Sequence, residues 1–261
     1  TTLVLMVFHT NRQLADPLLY RSLFLNFSLI FPFTQSTFFQ EPNWVTWSLG
    51  VEICFSIIFP VIVLSINRIG WIKTVTCVLI LCFLVRIIGR IVYEGPTRPA
   101  ISFPSDTIFG RLDDFVLGML VAHLYVKNRF NKFLSLQFFV GIILIFLSFI
   151  GWGWWYRGNG DYILSSGLSM PFNLGLVLAI NSLLKKKTIF TRMISLWPLQ
   201  LLGMMCYSLY LWHGVIVQEY ATSVHSITSY PIYLLLTFVI SWFTYRYIEF
   251  RGVENWRKLL P

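Results

Sequence analysis

Charge is what this sequence has least of. Only 12% of its 261 residues are Asp, Glu, Lys or Arg. A soluble domain carries about 25%, so too little charge is present to coat a water-facing surface of this size. Cysteine is sparse as well. Cys54, Cys77, Cys82 and Cys206 all lie inside apolar runs and form no CxxC pair, which leaves a zinc site or a redox motif without support; they read as small apolar filler. Internal repeats, low-complexity tracts and a soluble appendage are also lacking. No basic stretch leads into a short apolar segment and a cleavage site, so no part is read as a signal peptide.

What is present is apolar length. Hydrophobic types make up 56% of the chain and aromatics 18%, with a mean hydropathy of +0.70. Several apolar runs reach about 20 residues, enough to cross a hydrocarbon core about 30 Å thick. Apolar runs bounded by charge, Pro and Gly place spans at 18–39, 44–65, 72–92, 107–126, 134–154, 163–184, 199–219 and 230–250. Residues 1–9 read as the tail of a further span. Arg21, Asn26 and Pro32 interrupt the 18–39 run, which an interfacial or re-entrant element would also explain. The expected fold is all-α: a polytopic transmembrane helix bundle of about eight spans plus that tail, forming one membrane domain over 1–261.

A net charge of +9 would suit a nucleic-acid partner, but the basic residues argue against one. They sit in short clusters between spans: Arg68 and Lys73; Lys127, Arg129 and Lys132; Lys185, Lys186, Lys187 and Arg192; and Arg251, Arg257 and Lys258 against Glu254. The intervening loops are poorer, with Glu41 alone at 40–43, Arg157 and Asp161 at 155–162, and Glu219 and His225 at 219–229. The loop at 93–106 is mixed, with Glu94, Arg98 and Asp106. This alternation puts the basic loops and the C-terminus in the cytoplasm, together with Arg12 and Arg21.

Ionisable groups inside spans are costly and therefore candidates for function. Glu52 lies about two turns into its span, in the string Trp47-Ser-Leu-Gly-Val-Glu52 that runs on to Pro60. Its alternative role is to fix packing by pairing with an Arg. Arg111, Asp113 and Asp114 crowd the start of another span, ahead of Gly118. Arg111 and Asp114 share a helix face, while Asp113 is rotated away; an interfacial cap meeting water is the other reading. His213 closes Tyr207-Ser-Leu-Tyr210-Leu-Trp-His213. It is either a general base for a hydroxyl or a hydrogen-bonded histidine beside an aromatic belt. Arg86 and Arg90 are four apart in one span. Arg90 is placed to snorkel to the outer interface, and Arg86, deeper, is a candidate for holding a phosphate or carboxylate. Arg246 and Glu249 are three apart at the inner end of the last span and read as structural. Loop charge puts Glu52, Arg111, Asp113, Asp114 and His213 all toward the outer face, at one depth.

Four of these strings, in this order, resemble the acyltransferase-3 family of membrane O-acyltransferases. They are Trp47-Ser-Leu-Gly-Val-Glu52 with Pro60, Arg111-Leu-Asp113-Asp-Phe115-Val-Leu-Gly118, Tyr207 to His213, and Tyr245 to Glu249; order and spacing agree from about residue 20 to 255. The resemblance implies transfer of an acyl group, often acetyl, from acetyl-CoA as donor substrate with no bound cofactor. The acceptor would be a sugar hydroxyl on lipopolysaccharide O-antigen, exopolysaccharide, peptidoglycan or another exported glycan. It places the chain in the bacterial inner (plasma) membrane, with acyl-CoA, a glycan acceptor and the lipid bilayer as partners and no nucleic acid. The candidate catalytic residues are then Glu52, Arg111, Asp113 and His213, and the candidate substrate-binding residues Trp47, Asp114, Tyr210 and Arg86; no metal is expected. The family also carries a His in its first span. Val7-Phe8-His9 is superficially similar, but only 37 residues separate His9 from Trp47, and loop charge puts His9 at a cytoplasmic end. The first span, with that His, is therefore expected to lie outside this chain, and no fused soluble domain is expected within it. A transporter or glycan flippase is the runner-up, since it too would place ionisable residues in spans. No repeat or pair of broken helices supports it in the sequence.

Overall fold

A computed structural model describes residues 47–94, 103–159, 162–223 and 229–249, with single positions upstream. Among these the structure is helical and without strands. The helices are α1 (Trp47–Ile69), α2 (Trp71–Gly89), α3 (Ile108–Val126), α4 (Leu134–Tyr156), α5 (Tyr162–Gly167), α6 (Ser169–Lys185), α7 (Ile189–Ile194), α8 (Trp197–Met204), α9 (Cys206–Ser223) and α10 (Ser229–Thr244). π-helical turns extend α2 over Arg90–Glu94 and α10 over Tyr245–Glu249. The tail at 1–9 and all but a few positions of the run at 18–39 lie outside the described residues.

Helices are what such a sequence must form, because only they satisfy every backbone N–H and C=O within one segment in hydrocarbon. Trp47–Ile69, Trp71–Val92, Leu134–Tyr156, Ile163–Lys185 and Tyr230–Glu249 are long and apolar enough to cross a membrane. The pair α8 and α9 passes as a sixth span, bent by 69°. Helix α3 is as long as α2 but carries Arg111, Asp113 and Asp114 in its first half. Within the five spans only 17–39% of the residues are buried. The apolar surface left outward belongs against lipid tails.

The chain divides into two compact units. One comprises Pro17–Glu41 and Trp47–Arg192. Its core joins α1, α2 and α3 through Val51, Cys54, Ile62, Val78, Cys82 and Leu112 with their neighbours. Gly70, at φ 87° and ψ 163°, turns α1 into α2 in a backbone region that only glycine enters readily; its N–H donates to Ile66 O at 2.9 Å. Helices α4 and α6 cross closely where two glycines meet. A Cβ on Gly141 would lie 2.6 Å from Gly175 O, and one on Gly175 2.7 Å from Gly141 O. Small residues of this kind let helices approach without a hydrophobic drive between them.

The α3–α4 loop bends through left-handed residues at Asn128, Phe130 and Phe133, a costly conformation for Phe. Side chains at the far end of α6 hold it. Asn181 Nδ2 donates to Phe130 O at 3.1 Å and to Gln137 Oε1 at 2.8 Å, and Gln137 Nε2 donates to Lys132 O at 2.7 Å. Lys185 Nζ donates to Leu124 O at 3.2 Å and also to Arg129 O. Part of this basic cluster thus serves to fasten the loop.

The other unit comprises Thr1–Asp16, Pro42–Thr46 and Met193–Pro261. Helix α9 packs on α10 through the polar residues of its own motif. Ser208 Oγ donates to Glu249 Oε2 at 2.9 Å, and Trp212 Nε1 to Thr244 Oγ1 at 2.8 Å. Glu249 has a structural partner here, and that partner is Ser208.

Candidate functional site

A buried ion pair anchors the polar cluster of the larger unit. Arg86, in the last turn of α2, is 3% exposed, and Asp113, on α3, is 1% exposed. Arg86 Nη1 donates to Asp113 Oδ2 at 2.9 Å and Nη2 to Asp113 Oδ1 at 2.6 Å. Two parallel charge-assisted bonds of this kind fix orientation as well as energy. Asn173 of α6 joins the pair to the next carboxylate. Its Nδ2 lies 2.6 Å from Asp114 Oδ1 and 3.4 Å from Asp113 Oδ2. Arg86 Nη2 is also 4.0 Å from Asp114 Oδ1.

Arg111 heads a second, more accessible branch. Its Nη1 lies 3.7 Å from Asp114 Oδ2, one helix turn on. Its Nε donates to Asp106 Oδ1 at 2.8 Å, and Nη2 bonds the same oxygen. The guanidinium stands 5.8 Å from the ring centre of Trp47, at the start of α1. This is cation–π range for an Arg and an indole. Asp106 reaches Arg111 because the turn before α3 lies directly against two helices. A Cβ on Gly110 would fall 2.1 Å from Ser105 O, and one on Gly89 2.7 Å from Ser105 Oγ. Only glycine at both positions lets the turn settle there. Ser105 Oγ also donates to Arg86 O at 3.5 Å. Arg86, Asp106 and Arg111 border a cavity of about 400 Å³.

The structure thus brings Trp47, Arg86, Arg111, Asp113 and Asp114 into one connected group. Both oxygens of Asp113 are engaged by Arg86, whereas the side chain of Asp114 is 37% exposed. Glu52 is exposed on α1. It shares a side of that helix with Ser48 and Ser56, beside the face that buries Val51 and Cys54. Sequence reasoning did not single out Asn173 or Asp106 for this network. An amide inside an apolar run, in Ser169-Met-Pro-Phe-Asn173, was the signal for the first. Asp106 gave none beyond its place in a mixed loop.

In the smaller unit, His213 is half-buried on α9. Its Nδ1 lies 3.3 Å from Leu209 O, and its ring 5.5 Å from that of Tyr210. The Tyr210 hydroxyl donates to Val45 O. The face of α9 bearing Ser208 and Trp212 is committed to packing against α10, while Tyr210 and His213 lie on the opposite side of the helix. Among the described residues no group of His, Cys, Asp and Glu is gathered to hold a metal ion.

A family model described as an acyltransferase domain, that of the acyltransferase-3 family, matches residues 3–246. Among curated proteins, O-acetyltransferase OatA of Staphylococcus aureus is 28% identical over 228 residues, covering 80% of this chain and 36% of the relative. A putative O-acetyltransferase of S. aureus strain COL is 28% identical over 244 residues, covering 81% of this chain and 37% of that protein. The chain thus spans a little over a third of the length of these relatives. No solved structure matches.

Proposed function

The chain belongs to the acyltransferase-3 family, and from that premise we propose that it moves an acyl group, acetyl in the first instance, from acyl-CoA to a hydroxyl of a cell-surface or exported glycan. The acceptor oxygen attacks the thioester carbonyl, the C–S bond breaks, the thiolate leaves, and the hydroxyl proton passes through a base to the departing sulfur. The reading extends to one acyltransferase domain spanning the chain, in a bacterial plasma membrane with the C-terminus cytoplasmic. The family match across 3–246 supports it, as does a relative named an O-acetyltransferase.

The observation that carries the proposal is the linked group Arg86–Asp113–Asn173–Asp114–Arg111–Asp106, gathered from the end of α2, the start of α3 with the turn before it, and α6. Packing alone does not call for so many charged groups at one depth, each of them costly there. In this scheme Arg111 and Asp114 meet the substrates. Asp113 acts through Arg86 as a positioning residue, and Trp47 orients Arg111. Glu52 orients or activates the acceptor hydroxyl, and His213, beside Tyr210, serves as a base.

A second reading has one observation in its favour. The bend of 69° between α8 and α9 makes either a broken span or a re-entrant loop, and broken spans are a feature that transporters use at substrate sites. Transport predicts movement without covalent change. Membranes containing the full-length protein, given acetyl-labelled acetyl-CoA and host envelope glycans, separate the two. Label in the glycan, lost when membranes lack the protein, is the expected outcome. Glycan moved across the membrane without label would favour the transporter.

A further inference from the structure

The cavity beside the ion network has two unlike walls. One is ionic: Arg86 at the end of α2, Arg90 in the π-helical turn, and Arg111 with Asp106. The other is aromatic and comes from a single face of α4, where Phe149, Trp152 and Tyr156 recur at helical spacing. Trp152 is held in place. Its Nε1 donates to Ser165 O at 3.4 Å, and its ring lies 5.3 Å from Phe172 and 6.0 Å from Phe149. Arg90 is set by stacking, its guanidinium 4.5 Å from the ring centre of Trp155. Gly153 lies on the cavity wall, and a Cβ built there meets nothing within 4 Å. A side chain at residue 153 would therefore start in open space.

We propose that this cavity is the acceptor subsite and takes one pyranose unit of the glycan, the aromatic face of α4 covering a C–H face of the ring and the Asp106–Arg111 pair binding its hydroxyls. The proposal rests on the acyltransferase reading for what happens to the sugar, but not for its binding. A pyranose has an apolar face and a rim of hydroxyls that both donate and accept. The cavity answers each: rings on one side, and on the other a carboxylate that accepts beside guanidinium groups that donate. At about 400 Å³ its volume falls in the roughly 300–1,000 Å³ of small-ligand sites. A CoA diphosphate fits less well, because Asp106 would face it. Loop charge also puts this end of α3 outside, away from the cytoplasmic donor. A lipid tail would leave the ionic wall unsatisfied.

Gly153→Leu tests this directly, because the new side chain starts on the cavity wall, where a Cβ has no atom within 4 Å. Trp152→Ala removes the aromatic floor, and Trp152→Phe keeps most of it. Full-length protein in lipid nanodiscs is titrated with oligosaccharides released from the host envelope glycan, and transfer from labelled acetyl-CoA is measured in parallel. Gly153→Leu and Trp152→Ala are expected to weaken oligosaccharide binding by about tenfold or more, with Trp152→Phe weakening it less than Trp152→Ala and the KM for acetyl-CoA unchanged. Unchanged binding in Gly153→Leu, or a raised acetyl-CoA KM in place of weakened sugar binding, would overturn the subsite and leave the transferase reading standing. Binding with the expected variant pattern but no transfer would sustain the subsite and remove the transferase reading. If the intact protein binds no oligosaccharide, the subsite falls whatever the transfer result.

Discussion

Asp113→Leu alone is expected to destabilise the protein by about 3–5 kcal/mol, the cost of leaving one member of a buried ion pair uncompensated. Arg86→Met alone is expected to do the same. Each strands a charge enclosed by α2, α3 and α6, since Arg86 and Asp113 are 3% and 1% exposed. The double variant should recover most of the loss, because well-packed apolar replacements of such pairs are often neutral or even stabilising. Thermal unfolding in a fixed detergent, run as a double-mutant cycle, measures the coupling. Additive losses would mean that the pair of bonds at 2.9 and 2.6 Å is not the main interaction of either residue. The double variant also separates fold from function. It should hold its shape and yet lose transfer, because the Arg86 guanidinium, 4.0 Å from Asp114 Oδ1, no longer helps to set that carboxylate.

Larger effects are expected on transfer itself. His213→Ala and Glu52→Gln should each lower the rate by about 10²–10⁴-fold if they handle the hydroxyl proton, the usual range for general acid–base groups. Arg111→Lys should cost about tenfold to a hundredfold. A lysine keeps the charge but loses the fork that engages Asp106 and the flat face turned to Trp47. The readout is initial transfer rate at matched protein abundance, with unfolding temperature as the control. Near-normal transfer in Glu52→Gln would return Glu52 to a surface role on α1. Near-normal transfer in His213→Ala would leave that ring to its contact with Tyr210.

The spans were legible because apolar length is a strong signal. The run expected at 134–154 is Leu134–Tyr156, and that at 163–184 becomes Tyr162–Gly167 followed by Ser169–Lys185. The break at Met205 was not legible, since the run at 199–219 is apolar on both sides of it; Gly203 was the only local hint. In the site, spacing alone joined Arg111 to Asp114, three apart on one helix. No spacing could join Arg86 to Asp113 across 27 residues. Only the rule that buried charges find partners pointed there. Asp106 depends on how a turn lies against Gly89 and Gly110, which is a matter of tertiary contact. Trp152 and Tyr156 were not singled out in the sequence, and only the fold turns them toward the same space as the arginines.

The central claim is that this chain places acyl esters on an envelope glycan. The most direct measurement is the alkali-labile acetate released from purified envelope glycan of host cells with and without the gene for the full-length protein. The account predicts that the ester falls when the protein is absent, returns with the intact protein, and stays low with Arg111→Lys at equal abundance. Ester content that does not depend on the protein, in glycan otherwise normally exported, would contradict it.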